Sequence, residues 1–291
     1  MSPSLYDISS IKTRKVTMSD EIQQLEVLME QRFGEKLPVP KDIRGAQTLR
    51  HLLARATRRQ FSNEPVSPQL LRVLMACGLS APSKSDLQQT DIIHVCDPGK
   101  RASIVDWIGT MDWIHTAPVF LVICGNGRRL RQVSELHGES FANDHFDAVF
   151  NPAVDAGLVL SHLLVACEAV GLATCPISVI RDHAERVSTL LQLPPLTFPV
   201  AGLCIGWPAE ATTPAVVPRL SLPITTHTDT HDDESMIEAV QAYDRRRGRQ
   251  TGWDPESPEF VGWSQQKAKM YAKEQRQDFG AYLRGQAFNL D

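Results

Sequence analysis

The chain has 291 residues, 42% of them apolar, with a formal charge of −4 and a pI near 6.1. That length and apolar content suffice for a full-sized core, expected as one main domain with arms. The charge leaves no footprint for nucleic acid as a partner, so any anion site must be local. Six cysteines (Cys77, Cys96, Cys124, Cys167, Cys175, Cys204) lie mostly in apolar runs without C-x-x-C spacing, which suits packed thiols in a reducing compartment. The start Met1-Ser2-Pro3-Ser4 shows no basic and apolar signal regions, and the expected home is the cytoplasm.

Residues 1–45 read as an N-terminal extension, with an amphipathic piece at Ile22, Leu25, Leu28 and Met29 whose role the sequence leaves open. Residues 46–225 read as the core and 226–291 as a C-terminal helical arm that packs on the core or on a partner subunit. The core opens with a short apolar face at Leu49, Leu52 and Leu53. Arg55, Thr57 and Arg59 then crowd into five residues. Ser67-Pro68, a cap followed by a first-turn proline, predicts a helix with Leu70, Leu71, Leu74 and Cys77 on one face. It closes on a polar loop of small residues, Ala81 to Gln89.

Asp91–Cys96 and Ala117–Cys124 read as strands, the second apolar on both faces and therefore central. A helical stretch containing Trp107 and Trp113 separates them. Ala153–Val170 is apolar nearly all round and stops at Gly171, as a helix buried in a core or a subunit interface does. Interrupted by Asp155, Ser161, His162 and Glu168, it is too short and polar for a membrane span. Asp182 is expected to cap a helix ended by Pro194-Pro195, and Val200–Trp207 is the last strand. Strands separated by helices argue α/β or α+β around a sheet covered on both faces. Beyond Pro208, prolines 214, 218 and 223 are expected to keep the chain extended ahead of a helix over Met236–Arg249. The C-terminal residues Trp253, Trp263, Tyr271, Phe279, Tyr282 and Phe288 are too aromatic for a solvated tail and are expected to cover something.

Two cationic side chains and a hydroxyl, followed one helix later by a small polar loop, suit a phosphorylated, many-acceptor cofactor such as a flavin nucleotide. In this arrangement the chain resembles the FMN-dependent nitroreductase family, in the branch of nitroreductase A and flavin reductase P. The family motif R-x-S-x-R/K-x-F stands as Arg55-Ala56-Thr57-Arg58-Arg59-Gln60-Phe61. A-P-S-S-x-N-x-Q-P stands as Ala81-Pro82-Ser83-Lys84-Ser85-Asp86-Leu87-Gln88-Gln89. G-L-G-x-x-x-x-G is represented by Gly171 to Arg181, including Ile177, Ser178 and Val179. K-P-R-L-P becomes Val217-Pro218-Arg219-Leu220-Ser221. Each motif alone is weak, but four in order, joined by Gly202-Leu203-Cys204-Ile205-Gly206-Trp207-Pro208, make a specific match.

The resemblance implies an α+β nitroreductase-like sandwich with a central, mostly antiparallel sheet flanked by helices, in a homodimer with exchanged arms. It implies an FMN-dependent oxidoreductase with NADPH or NADH as co-substrate. Hydride would pass from nicotinamide to the flavin N5 and on to a nitroaromatic, quinone or flavin acceptor by exchange on one face. It assigns Arg55, Thr57, Arg59, Pro82, Ser83, Lys84, Ser85, Asp86, Gln88, Ile177, Ser178, Val179 and Arg219 to cofactor binding, with the Pro82–Gln88 loop reaching the other subunit's flavin. No acid/base dyad and no resident metal are implied, and no membrane partner. Val217 stands for a lysine, Asp86 for an asparagine, and Ser178 and Val179 for glycines. These changes point toward a narrower substrate or weaker flavin binding. The alternatives are a specialised flavin-dependent dehalogenase or dehydrogenase of one metabolite, or a catalytically weak flavin- or partner-binding protein.

Other patterns carry less. The His137–Asp147 and His227–Asp232 groups lack a committed ligand spacing and read as solvated loops. Gly125-Asn126-Gly127 lacks the third glycine of a dinucleotide fingerprint. Cys175 and His162 read as packed core residues. The run Arg245-Arg246-Arg247-Gly248-Arg249 reads either as a solvated helix end or, by resemblance, as a site for the extra phosphate of NADPH.

Overall fold

The computed structural model describes residues 17–209 and 215–291; the expectation for Pro214 lies outside them. In chain order come helices α1 (Met18–Phe33), α2 (Ala46–Ala54) and α3 (Pro68–Leu79), strand β1 (Thr90–His94), helices α4 (Pro98–Ile108) and α5 (Trp113–Thr116), and strand β2 (Val119–Asn126). Helices α6 (Arg128–His137) and α7 (Asp147–Ala169), strand β3 (Ala173–Ile177), helix α8 (Ala184–Leu191) and strand β4 (Thr197–Gly206) follow. Helices α9 (Leu222–Thr225), α10 (Met236–Gln250), α11 (Trp263–Tyr271) and α12 (Phe279–Gly285) complete the chain. Two compact units result. One joins the residues up to Ala54 with Val216–Gly262, and the other joins Arg55–Ala215 with Trp263–Asp291.

The larger unit is built on an antiparallel sheet of order β1-β2-β4-β3. All eight residues of β2 are buried because each alternate set has a core to enter. Phe120, Val122 and Cys124 point into one cluster with Ile104, Ile114, Cys175 and Cys204. Val119, Leu121 and Ile123 point into another with Leu71, Leu74, Leu163 and Leu203. Period-two alternation is therefore hidden in the sequence, as expected for a central strand. A bulge between Ile123 and Cys124 shifts the β2–β4 register toward the strand's end.

Helix α3 starts as expected: Ser67 Oγ accepts from Leu70 N at 3.1 Å, with Pro68 in the first turn. It packs closely on α7 through Gly78, where an added Cβ would lie 3.0 Å from Leu163 Cβ. Helix α7 is longer than expected, running 23 residues with Pro152 inside its first turns. By length and composition it could cross a membrane, so shortness is no argument against it. Here it is a core helix that places Ala156, Leu163 and Cys167 under the sheet.

Several expectations are corrected. Asp182 caps nothing: it lies in a 3-10 turn (Val179–His183), its carboxylate paired with Arg276, and His183 precedes α8. Helix α8 ends before the prolines, at Gln192 in the left-handed conformation. Pro223 opens the short α9 rather than extending the chain. His162 is exposed on α7, bonded to Leu158 O, and Cys77 and Cys96 are exposed as well. The C-terminal aromatics divide. Phe288 packs edge-on against Phe198 with centroids 5.4 Å apart, and Tyr282 Oη lies 2.6 Å from Ser188 Oγ, whereas Tyr271 and Trp253 face solvent.

In the smaller unit α1 packs on α2 and buries Leu25. Thr17 and Asp20 form a capping box at its start, which holds the Asp20 carboxyl below the ordinary carboxylate range, and Gly34 takes φ 78° at its end. Arg32 donates to Leu53 O at 3.1 and 2.6 Å and to Val217 O at 2.8 Å, and Glu35 accepts from Leu222 N at 3.0 Å. The N-terminal helix is thus tied to both segments that accompany it in this unit.

Candidate functional site

The first motif runs along the β3 side of the sheet. Arg58 N donates to Thr174 O at 2.9 Å, Ser62 N to Trp207 O at 2.8 Å, and Phe61 bridges to Pro208 with its ring buried. This pairing occupies part of an edge that β3 would otherwise leave open. It also fixes which way the basic side chains leave the backbone. Arg55 Nε lies 3.5 Å from Glu168 Oε1, the same oxygen that accepts from buried Thr174 Oγ1 at 2.7 Å. Arg59 is exposed, with its guanidinium 5.4 Å over the Trp113 ring, and among the described residues it makes no ion pair. Both arginines and Trp113 surround the Cys175 thiol. Burial pushes its pKa up, while Arg59, Trp113 and Arg55 oppose that rise. Thr57 is half-buried between the two arginines in sequence.

The second motif is a tight turn. Ser85, Asp86 and Gln88 all have left-handed backbones, with φ of 51°, 57° and 51°. Non-glycine residues adopt this conformation only against a steric cost. Ser83 Oγ accepts from Gln88 N at 3.2 Å, and Gln88 Nε2 donates to Asp86 Oδ1 at 3.1 Å. Lys84 N and Gln89 N donate to the two carboxylate oxygens of Asp155 at 3.0 and 3.3 Å. Arg129, paired with Asp91, donates to Gln88 O. Pro82, Ser83, Asp86 and Gln88 form one wall of a cleft of about 1190 Å³, while Lys84 and Ser85 are exposed beside it. Three buried oxygens on the cleft lining, Gln89 Oε1, Thr90 Oγ1 and Thr197 Oγ1, have no hydrogen-bond partner among the described residues.

The third motif contributes backbone more than side chains. Gly171 has φ 87°, a conformation that suits glycine as the chain turns from α7 into β3. Ile177 is buried in the sheet opposite Gly202, and Val179 packs against the core instead of projecting outward. Of the two residues standing for glycines, only Ser178 is exposed. Arg219 belongs to the smaller unit, where its N–H donates to Arg32 O at 2.6 Å and its carbonyl accepts from Arg246.

Sequence reasoning missed Asp155 and Glu168. Both sit on α7, thirteen residues apart, which at the helical rise is roughly 20 Å. Glu168 holds the arginine cluster and Asp155 holds the loop, so one chain keeps the two motifs at separate stations of one helix. Their signal was two acids in an otherwise apolar helix. The His-rich loops bring no metal set together: His227 and His231 stack with centroids 4.4 Å apart, but among the described residues no group of three or more metal-ligating side chains forms.

Comparison with known proteins follows the same stretch of chain. The family model "Nitroreductase family" matches residues 52–110 and 106–207, and "Nitroreductase family, C-terminal domain" matches 218–291. The chain is 30% identical over 248 residues to an FMN reductase [NAD(P)H] of Bacillus subtilis, covering 84% of this chain and 99% of that protein. It is 29% identical over 247 residues to an oxygen-insensitive NADPH nitroreductase of Salmonella typhimurium, covering 83% and 98%. The solved structure of NfrA2 from B. megaterium superposes with a TM-score of 0.75 at 30% identity, covering 84% of this chain and 99% of that one.

Proposed function

The chain belongs to the nitroreductase family, and we propose that two copies of it bind FMN between them and reduce an electron-poor aromatic, a quinone or a free flavin. It is an NAD(P)H oxidoreductase with FMN as cofactor and NADPH or NADH as co-substrate. The chemistry FMN supplies when bound is the relay of hydride from nicotinamide to the acceptor in two half-reactions.

The residues present fit such a group. Arg59 is an exposed guanidinium backed by an aromatic ring and unclaimed by any carboxylate among the described residues, so it can meet a phosphate or the charge that reduction places on the N1/O2 edge of a flavin. Arg55 adds a second cation beside it, partly neutralised by Glu168. The Arg58–Thr174 backbone bond keeps these side chains in register with β3, with the Thr57 hydroxyl between them in sequence. Residues 171–179 offer backbone and small groups to a flat ligand, with Val179 withdrawn into the core. Ser83, Lys84, Ser85, Asp86 and Gln88 present hydroxyl, amide and charged groups from a preformed turn.

The dimer reading is carried by one observation: the Arg59 cluster and the Ser83 turn are attached to α7 at Glu168 and Asp155, roughly 20 Å apart along the helix. A second copy lets the turn of one protomer meet the arginines of the other. Arg59 and its neighbours hold the cofactor and stabilise charge, and no side chain here is assigned as acid or base. The proton for the acceptor comes from water or from the substrate itself.

The visible spectrum of the purified protein, taken before and after anaerobic NADPH, tests this reading. A flavin band that bleaches supports it. A colourless protein that stays so after FMN is added defeats it, and an oxidised band untouched by NADPH or NADH leaves binding without reductase activity.

A further inference from the structure

Asp155 is 1% exposed in the middle of α7, and among the described residues no cation pairs with it. A buried carboxylate in an apolar helix is unfavourable unless its oxygens are hydrogen-bonded. Both are: Oδ1 accepts from Lys84 N at 3.0 Å and Oδ2 from Gln89 N at 3.3 Å. These amides bracket the turn, and Ser85, Asp86 and Gln88, its three left-handed residues, lie between them. The packing of α7 on the sheet needs no charge at this position, since its neighbours Ala156 and Val159 bury apolar faces. Among the described residues, the carboxylate's hydrogen-bond partners, Lys84 N and Gln89 N, both belong to the turn.

We infer that Asp155 is a positioning residue: it grips both ends of the Lys84–Gln89 turn and so holds the left-handed arc ready for its ligand. This rests on the flavin reading above for what the ligand is, and on geometry alone for the grip. The arc is disfavoured locally, so without an external clamp it relaxes toward right-handed or extended conformers. Two acceptors from one rigid helix supply the clamp, and a prepaid conformation costs less order when the ligand arrives. Arg129, bonded to Gln88 O, supports the same arc from the side of Asp91. A ligand-facing turn strained in this way and fixed from behind matches the common association of backbone strain with binding sites.

The test uses the full-length protein stripped of FMN, as wild type, Asp155→Asn and Asp155→Asn/Ser85→Gly. Asparagine keeps the shape and one acceptor oxygen, so the chain folds. Amide hydrogen exchange at Lys84 to Gln89 is compared with exchange along α7, and FMN affinity is read from quenching of flavin fluorescence. The expected result for Asp155→Asn is exchange at Lys84 or Gln89 faster by about tenfold or more with α7 unchanged, and an FMN Kd higher by about tenfold. Ser85→Gly should bring exchange at the turn part of the way back toward the wild-type rate, because glycine takes the left-handed conformation without the steric cost, a response that a merely core-supporting residue would not show. Turn exchange that stays at the wild-type rate, or that rises only in step with α7, overturns the proposal. An FMN Kd left unchanged by Asp155→Asn, where the wild type binds FMN, overturns its functional half. A wild type that binds no FMN defeats the flavin reading instead, and the exchange rates then decide the clamp by themselves.

Discussion

Glu168 and Asp155 bring the same chemical group to two places on α7, and they do different things with it. Glu168 meets a side-chain cation and a hydroxyl, so part of the charge of Arg55 is neutralised inside the fold. Asp155 meets two backbone amides, Lys84 N and Gln89 N, and takes up no side chain of the turn among the described residues. At the first place the protein fixes which arginine faces outward. At the second it fixes a backbone shape. The difference separates scaffold from contact: Arg55 is partly structural, Arg59 is the charge available to a ligand, and the turn offers conformation before it offers any particular side chain.

The largest effect that would break this contrast is on stability at the Glu168 end. Glu168→Ala leaves Arg55 and Thr174 without their shared oxygen. The pair is about four-fifths buried, with side-chain exposures of 24% and 16%, so the loss should fall somewhat below the ~3–5 kcal/mol of a fully enclosed pair, at about 2–3 kcal/mol by urea denaturation of the apoprotein. A loss under about 0.5 kcal/mol would mean that Arg55 is as free as Arg59. Next comes Arg59→Ala, expected to weaken FMN binding by about 1–3 kcal/mol while shifting stability by no more than about 0.5 kcal/mol, because its side chain lies at the surface. If affinity holds and stability falls instead, the roles of the two arginines are reversed.

Smaller still is Ser85→Gly in the otherwise native chain. Glycine accepts φ near 51° without a Cβ clash, so the apoprotein should gain about 0.5–1 kcal/mol. A clear loss would show that the turn carries no strain.

The smallest effect is a pH dependence remote from either station. His94, on β1, has its pKa lowered from 6.5, first by burial and then by the Arg101 guanidinium. With the folded pKa below the unfolded one, the unfolded chain binds more protons as pH falls through 6.5 and below, so stability drops in that window and is regained above it. His94→Asn should flatten the change in urea midpoint between about pH 5 and pH 7.5 at this position, while leaving both stations of α7 untouched.

Much of this was legible in the sequence, for identifiable reasons. β2 and β4 announce themselves because both faces are apolar, and α3 because Ser67-Pro68 starts it and a single face packs. β3 was missed as a strand because five residues containing Pro176 give too short a pattern. α6 was missed because none of its residues is buried. The arginines and the small polar turn could be found from residue type and order. Their supports could not, because Asp155 and Glu168 act across 71 and 113 positions of chain to reach Lys84 and Arg55, and in sequence they register only as interruptions of an apolar run. The left-handed backbones at Ser85 and Gln88 were equally hidden, since serine and glutamine are not residues that signal φ above zero, and Asp86 between them was the one residue of a type enriched there. Arg32 lay in a segment without a readable role, although it fastens Leu53 and Val217.

The central claim is that one flavin is held by the arginines of one protomer and the turn of its partner, and mixed dimers test it most directly. One protomer carries Arg59→Ala with an intact turn, and its partner carries Ser83→Ala/Lys84→Ala with an intact Arg59. FMN is then titrated into the purified heterodimer. A shared site predicts one tight flavin per dimer and one doubly impaired, because the two intact halves meet on one side. Two sites each weakened by one variant, with no tight one, would place each flavin within a single chain and contradict the account.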